Sequence, residues 1–328
     1  MMEIRTNGPR LTTRQCFSMD PVKAIHENQW FTVRNRGGFF TTEYLHPQVI
    51  ILLIVYNHSV VMVEVKRRNK TNYGEKMKTK QHDAIILSSS GEQDSQGKLV
   101  ELLKSTTIPD DELLANLGLF LTSKNLSRLL FFYEIYKKIV HTHGIIVEFG
   151  VRWGQTLSLM SALRGIFEPF NRHRKIIGFD TFEGLRGLSP ADQDKSRCTD
   201  GAFSVSDNYE KILEEILTLQ EQLNPISHLK KYEIIKGDAM ETIPEYFQKH
   251  PESLISLAVF DFDIYNPTRV ALEAVKPRLF KGSVLVFDEL CDDIFPGETV
   301  ALMETMGVSS LRIQRFPMTA RISYAVVE

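Results

Sequence analysis

The stretch IIVEFGVRWGQT, residues 145–156, decides how the rest of the chain is interpreted. It begins with an apolar run, passes Glu148 and turns on Gly150 and Gly154, and an amphipathic segment follows from 157 to 167. This order predicts a buried strand, a tight turn and a helix. Glycine lets the backbone approach a ligand closely, and a helix N-terminus presents free N–H groups. The unit is therefore typical of a nucleotide site.

Strand-like and helix-like segments alternate on both sides of this unit. A helix at 125–140, with Ser123 as its N-cap, precedes it. The segments that follow are strands at 175–179, 232–236, 254–260 and 283–287, helices at 207–223, 240–249, 267–279 and 298–306, and two last strands at 311–316 and 321–327. This alternation predicts a parallel α/β sheet with right-handed crossovers. The terminal hairpin predicts an antiparallel edge.

The first third of the chain has a different character. Apolar runs at 49–56 and 60–65 are separated by Asn57-His58-Ser59 and predict a hairpin. A basic linker follows at 66–82, and 88–96 is a polar turn or loop. We therefore expect a β-rich N-terminal segment at 1–96 and a second domain at 97–328.

Composition and charge limit the class of protein. Hydrophobic residues make up 43% and charged residues 24%, which is ordinary for a globular chain. The net charge of -2 gives no basic surface for nucleic acid. Three scattered cysteines form no disulfide framework, which indicates a reducing cytosol. We see no signal peptide and no apolar run long enough for a bilayer, so we expect a cytoplasmic protein with no membrane partner.

Acidic residues follow several of the predicted strands, and these residues are Glu148, Asp180, Asp238, Asp261 and Asp288. Ligands bind beyond the carboxyl ends of parallel strands, so these acids are expected to converge. One of them alone would be a helix cap, but five are hard to explain as caps. Asp180 is placed to accept hydrogen bonds from ribose hydroxyls, and Asp238 lies where an adenine amino group would be. A Gly-x-Gly-x-x-Gly turn is absent, which disfavours NAD.

Five motifs occur in order along the chain, and they are 148–156, FDTFEGL at 179–185, 237–244, DFDIY at 261–265 and FDE at 287–289. Together they resemble the macrocin O-methyltransferase family, over the range from Leu119 to the C-terminus. The resemblance implies a Rossmann-like class I methyltransferase with a seven-stranded, mostly parallel sheet. It also implies S-adenosylmethionine as the cofactor and a small-molecule hydroxyl as the acceptor, often a sugar of a natural product.

The same resemblance implies a magnesium site and a general base. Asp261, Asp288 and Glu289 would bind Mg²⁺, which prefers oxygen ligands. Asp263 would take the proton of the acceptor hydroxyl, whose pKa the metal would lower. The chain departs from the family at Phe262, where a Gly is usual, and at Glu289, where an Asp is usual. The alternative is that Asp261 and Asp263 only cap and orient local backbone.

Particular roles follow for the cofactor contacts. Gly150 would let the backbone pass under the methionine part, and Arg152 would pair with its carboxylate, unless Arg152 is an ordinary surface residue. Phe182 would stack near the adenosine or else belong to the core. The residues predicted to bind the cofactor are Glu148, Gly150, Arg152, Gly154, Thr156, Asp180, Thr181, Phe182, Asp238, Ala239 and Asp261. The polar insertion at 187–206 would cover the site or form a surface loop.

A weaker resemblance concerns the N-terminal segment. The stretch from 28–34 through 63–67 resembles the opening strands of Nudix hydrolases of the ADP-sugar pyrophosphatase type, but no catalytic box follows. Packing, dimer formation or covering the active site are the expected roles, and a homo-oligomer is left open.

Two rival functions also stay open. One is another enzyme on the same fold, such as a hydroxylase-type relative or a nucleotide-sugar enzyme, and the other is a non-catalytic interaction protein.

Overall fold

The computed structural model describes residues 4–5, 32–33, 49–56, 59–66, 88–192, 198–319 and 321–328. Contacts between residues divide the chain into two compact units, Met1–Met77 and Lys78–Glu328. This division falls earlier in the chain than residue 96, where the sequence placed the domain boundary. No helix in the described ranges has both the length and the apolar character needed to cross a membrane.

The described residues of the N-terminal unit form two antiparallel pairs of strands. Strand β1 (Ile4–Arg5) pairs with β2 (Thr32–Val33). Strand β3 (Val49–Tyr56) pairs along its whole length with β4 (Ser59–Lys66), which confirms the predicted hairpin. The predicted linker after Lys66, and most of the Nudix-like stretch, lie outside the described residues.

The first described helix of the second unit lies where the sequence analysis predicted a loop. Helix α1 (Ser90–Lys104) covers most of that loop. Its start is fixed by a capping box, in which Glu92 N donates to Ser89 Oγ and Ser89 N donates to Glu92 Oε2 at 2.7 Å. The first eight residues of the helix, SGEQDSQG, include no apolar side chain, so the apolar periodicity that predicts a helix is missing there. Helix α2 (Asp110–Leu113) follows and continues as a 3₁₀ helix, Leu114–Phe120.

Helix α3 (Ser123–Ile139) leads into the central strand. Its N-cap is Thr122 and not Ser123, because the Thr122 hydroxyl accepts the hydrogen bond from Asn125 N. The buried side of the helix is formed by Phe131, Phe132, Ile135, Tyr136 and Ile139. This confirms the predicted helix.

The remaining elements alternate as predicted. They are β5 (Ile145–Phe149), α4 (Gln155–Phe167), β6 (Ile176–Asp180), α5 (Tyr209–Leu223), β7 (Tyr232–Lys236), α6 (Ala239–Lys249), β8 (Ile255–Phe260), α7 (Tyr265–Val275), β9 (Val284–Phe287), α8 (Gly297–Thr305), β10 (Gln314–Arg315) and β11 (Ser323–Val326). Most boundaries agree with the sequence prediction within a few residues. The last two strands are shorter than predicted, and a 3₁₀ turn at Val308–Ser310 precedes β10.

Seven of these strands form one sheet within the described residues, in the order β10-β11-β9-β8-β5-β6-β7. Strands β5 to β9 are parallel, whereas β11 runs antiparallel to both β9 and β10. The predicted sheet with an antiparallel C-terminal hairpin is therefore confirmed. Side chains alternate between its two faces: Ile146 packs with α3 and α4, and Val147 with α6 and α7.

The order in which successive strands join the sheet reverses beside β5. It first adds β6 and β7 on one side and then crosses to β8 and β9 on the other. In open α/β sheets this reversal leaves a crevice at the carboxyl ends of the strands. The glycine turn after β5 and the residues after β8 meet at that crevice.

Candidate active site

A cavity of about 450 Å³ lies at the carboxyl ends of the central strands. Its volume is in the range of small-molecule sites. The residues predicted for the site that line it are Glu148, Gly150, Arg152, Thr156, Asp180, Thr181, Asp238, Ala239, Asp261, Asp263, Asp288 and Glu289. The acids at the strand ends thus share one cavity, while their individual roles stay predictions.

Two predicted cofactor residues, Gly154 and Phe182, do not line this cavity. Gly154 has a φ of 76°, and a Cβ there would overlap the side chain of Leu213 on α5. Close helix packing therefore requires that glycine. Phe182 is buried in the core that also contains Val151 and Leu157. Its placement corresponds to the alternative stated above, a core aromatic.

Gly150 lines the cavity, and the structure gives a reason for its lack of a side chain in addition to the predicted cofactor contact, which stays a prediction. Its φ is 97°, and a Cβ would overlap the carbonyl oxygen of Asp261. Asp261 N also donates to Phe149 O at 2.8 Å, so the ends of β5 and β8 lie very close together. Gly150 thus allows the ends of β5 and β8 to approach each other. The glycine turn therefore lies directly beside Asp261, the first acid of the DFDIY motif.

Asp180 organises the glycine turn from the end of β6. Its Oδ2 accepts hydrogen bonds from the N–H groups of Val151 and Arg152, both at 2.7 Å. Its Oδ1 accepts from Phe182 N at 2.5 Å. Burial raises the pKa of Asp180, and these backbone donors partly offset that effect. A carboxylate has about four lone-pair sites, so acceptance from a ribose hydroxyl remains compatible with these contacts.

Thr181 and Asp238 also make local contacts at the cavity edge. The Thr181 hydroxyl donates to Gly184 O at 3.0 Å and accepts from Glu183 N. Asp238 is the N-cap of α6, where Oδ1 accepts from Met240 N at 2.8 Å. The cap interpretation therefore holds for Asp238, although its side chain also lines the cavity.

Arg152 is part of the cavity wall. It has a φ of 49°, its guanidinium lies 5.1 Å from the centre of the Phe203 ring, and its Nε is buried without a partner. A non-glycine residue with positive φ is uncommon and often marks a functional turn. The position favours a ligand contact over an ordinary surface arginine.

Glu148 brings a buried carboxyl to the centre of the cavity. Burial raises its pKa to about 8, while Arg128 and hydrogen bonds from Thr156 and Leu157 oppose the shift. Its Oε2 has no hydrogen-bond partner. A cationic ligand group beside this oxygen would favour the charged carboxylate.

Arg128, on α3, is a site residue that the sequence analysis missed. Its Nη1 donates to Asp288 Oδ1 at 2.6 Å and its Nη2 to Asp261 Oδ2 at 3.2 Å. Its guanidinium also lies 5.2 Å from the centre of the Phe132 ring. Spacing along the chain gives no direct signal for these contacts. A weaker signal exists, because Arg128 is one helical turn from Phe132 on the apolar side of α3.

Two further residues beside the cavity were missed. Arg321 forms an ion pair with Glu289, and its Nη2 lies 3.7 Å from Asp292 Oδ2. Glu298, at the start of α8, is fully buried, and its Oε1 accepts from Glu289 N at 3.1 Å. Burial raises the pKa of Glu298 well above its usual range, and the charges of Asp288 and Asp261 add to the shift.

Asp263 lines the cavity two residues beyond Asp261. It has a φ of 64°, in the left-handed region that aspartate tolerates better than most residues. Burial raises its pKa to about 7, and the charge of Asp288 adds to this, whereas Arg321 and Arg152 lower it. Its neighbour Phe262 lines the cavity and also packs against Phe149, with ring centres 6.0 Å apart.

The insertion at 187–206 contributes to the cavity wall. Asp192 is buried, and its Oδ1 accepts from Tyr265 N at the start of α7 at 2.9 Å. Asp192 Oδ2 accepts from both the N–H and the hydroxyl of Ser189. Phe203, later in the insertion, lines the cavity and lies against Phe295. The described part of the insertion therefore packs on the site, as expected for a cover.

The described residues do not form the predicted magnesium site. Nowhere in the described part of the chain do three His, Cys, Asp or Glu side chains converge as metal ligands. Asp261 and Asp288 both face Arg128, and Glu289 faces Arg321. The carboxylate oxygens suit Mg²⁺ chemically, but guanidinium groups occupy the positions beside them. The Mg²⁺ prediction is therefore not supported by this arrangement.

Comparisons with known proteins agree with the fold. No protein-family model matches the chain, and no curated protein does. A crystal structure of CalS11, calicheamicin methyltransferase, is 35% identical with a TM-score of 0.72, over 75% of this chain and 96% of that chain. An apo structure of CalS11, named as TDP-rhamnose 3'-O-methyltransferase in calicheamicin biosynthesis, is 34% identical with a TM-score of 0.65, over 74% and 96%.

The sheet, the cavity and these two matches define a class I methyltransferase. The chain belongs to the same family as the O-methyltransferase CalS11. Its family relation identifies it as a methyltransferase and favours an enzyme over a non-catalytic interaction protein. The narrower assignment to the macrocin family stays a prediction, since no family model matches.

Proposed function

We propose that this chain transfers a methyl group from S-adenosylmethionine to a hydroxyl of a sugar. The observation that carries the proposal is the position of Asp263, whose carboxyl lines the same cavity as the glycine turn after β5. The relation to CalS11, a TDP-rhamnose 3'-O-methyltransferase, supports a sugar acceptor. The acceptor we favour is a deoxysugar attached to a nucleoside diphosphate.

Residues of the cavity wall fit the cofactor. The unpartnered Oε2 of Glu148 suits the amino group of its methionine part, and Arg152 suits its carboxylate. Asp180 suits the ribose hydroxyls, and we assign Asp238 and Ala239, which line the same cavity, to the adenine. When bound, the cofactor supplies a methyl group on a sulfonium, ready for in-line transfer.

The protein's own part in the reaction is to position the acceptor and remove its proton. Asp263 accepts the proton of the acceptor hydroxyl as the oxygen takes the methyl group, so the carboxyl acts as general base. Phe203 and Phe295 line the cavity, and their apolar rings would limit the access of water to the reacting groups once both substrates are bound. Most of the acceleration then comes from orientation of the two reactants.

A transfer assay tests this proposal. The full chain is incubated with S-adenosylmethionine labelled at its methyl group and a panel of TDP-deoxysugars, and the products are analysed by mass spectrometry. We expect a product one methyl group heavier, with the label on a sugar oxygen. No transfer to any hydroxyl of the panel, with the cofactor bound, would reject the sugar acceptor. Transfer to a non-sugar hydroxyl would keep the reaction type and change the acceptor.

A further inference from the structure

The oxygens predicted to bind a metal already have a cation beside them. Arg128 reaches Asp288 at 2.6 Å and Asp261 at 3.2 Å through two different nitrogens. All three side chains are largely buried, with exposed fractions of 26% for Arg128 and Asp261 and 16% for Asp288. Guanidinium is planar and has five donors, so one arginine can join two carboxylates.

This contact links distant parts of the chain. Arg128 comes from α3, whereas Asp261 follows β8 and Asp288 follows β9. The Phe132 ring, one turn along α3, lies under the guanidinium and limits its positions. Arg128 is therefore held where the ends of the two strands face each other.

The third predicted ligand is engaged in the same way. Glu289 forms an ion pair with Arg321. Each predicted metal ligand therefore has an arginine partner, and two guanidinium groups offset part of the charge of the three carboxylates. Asp261 Oδ2 and Asp288 Oδ1 each accept a hydrogen bond from Arg128. A metal ion coordinated by these two oxygens therefore has to displace the guanidinium.

We propose that Arg128 is the resident cation of this site, a positioning residue that occupies the place of the predicted metal between Asp261 and Asp288. A divalent cation and Arg128 then compete for the same two carboxylates. The chain keeps these strand ends together with a side chain from α3, and a metal is not needed for that purpose. This inference does not depend on the identity of the acceptor.

Metal titration of the full chain tests the competition. Wild type, Arg128→Gln and the control Lys124→Gln, all treated with EDTA and dialysed, are titrated with Mn²⁺ in a calorimeter. Lys124 is an exposed residue on the same helix. We expect Arg128→Gln to bind Mn²⁺ at least about tenfold more tightly than wild type, because the charge-assisted bonds that oppose the metal are gone. Lys124→Gln should match wild type.

Thermal unfolding gives a second measurement. In EDTA, Arg128→Gln should unfold at a lower temperature than wild type, since two carboxylates lose their cation, and Mn²⁺ should restore much of the loss. Wild type should show little change with Mn²⁺. Equal Mn²⁺ affinity in wild type and Arg128→Gln would overturn the proposal, as would loss of metal binding in the variant.

A different variant keeps the test decisive if Arg128→Gln does not fold. Lysine retains the charge but cannot bridge both carboxylates, so Arg128→Lys should show an intermediate Mn²⁺ affinity. The Mn²⁺ affinities of wild type and Asp288→Asn provide a final check. Micromolar Mn²⁺ binding by wild type that is lost in Asp288→Asn would contradict a resident Arg128. Binding of S-adenosylmethionine is measured separately, so failure of this inference is distinct from failure of the proposed function.

Discussion

The carboxylate of Asp180 accepts a hydrogen bond from the backbone N–H of Arg152 at 2.7 Å, so the end of β6 holds the glycine turn that follows β5. The same oxygen accepts from Val151 N. The turn is thus fixed before any ligand binds, and its geometry depends on one carboxylate. This relationship leads to the first prediction.

Asp180→Asn should weaken binding of S-adenosylmethionine by at least about tenfold and lower the free energy of unfolding by about 1–3 kcal/mol, because an amide replaces an oxygen that accepts backbone N–H bonds. Isothermal calorimetry and chemical denaturation measure the two effects. A variant with unchanged affinity and stability would show that Asp180 does not organise the turn.

Asp263→Asn should retain cofactor affinity and lose at least about a hundredfold in kcat, because the amide cannot take the proton of the acceptor. The control is Asp293→Asn, an exposed aspartate in the loop after β9, which should behave as wild type. Calorimetry with S-adenosylhomocysteine and steady-state kinetics give the comparison. Unchanged turnover in Asp263→Asn would remove this residue from the mechanism.

The pH profile of kcat should rise with pH through about 7 and then level off. Burial raises the pKa of Asp263 to about 7, and only the charged carboxylate accepts a proton. Asp263 is therefore protonated and inactive as a base below about pH 7, and charged and active above it. A profile that is flat between pH 5.5 and 8.5 would exclude a base with this pKa.

Gly150→Ala should destabilise the protein much more than Gly307→Ala. Both glycines have positive φ, at 97° and 72°, so both substitutions carry a backbone penalty of about 1 kcal/mol. Only at Gly150 does a Cβ overlap another backbone atom, the carbonyl oxygen of Asp261, which adds about 1–3 kcal/mol or more. Thermal unfolding of both variants measures the difference. Equal losses would mean that the ends of β5 and β8 are not in close contact.

Asp192→Ala should raise the KM for the acceptor several-fold and leave cofactor affinity unchanged. Its carboxylate joins the insertion to the start of α7 through Ser189 and Tyr265. Asp207→Ala, at an exposed position just after the insertion, serves as the control. If cofactor affinity fell while the acceptor KM stayed constant, the insertion would contact the cofactor and not the acceptor.

The sheet was predictable because parallel strands are buried on both faces and read as apolar runs. Strand β7 was predicted with its observed bounds, and β5 and β8 nearly so. Helix α1 was missed because it is not buried in this way. It buries no residue, and its signal is limited to the pair Ser89 and Glu92 in a capping box.

The site was predictable where a residue directly follows a strand. Asp180, Asp261 and Asp288 were found by that rule, whereas Asp263 was named only because the DFDIY motif resembles a known family. Arg128 was not, because its position in the cavity depends on how α3 packs against the sheet. The steric role of Gly150 was not predictable either, since sequence alone does not show that the carbonyl of Asp261 lies beside it.

The most direct test of the central claim is calorimetric titration of the full chain with S-adenosylmethionine, performed with and without EDTA. The account predicts binding of one cofactor per chain at micromolar concentration, equally strong in both conditions, because the residues that suit the cofactor belong to the protein. No binding at millimolar cofactor would contradict the assignment as an S-adenosylmethionine-dependent methyltransferase.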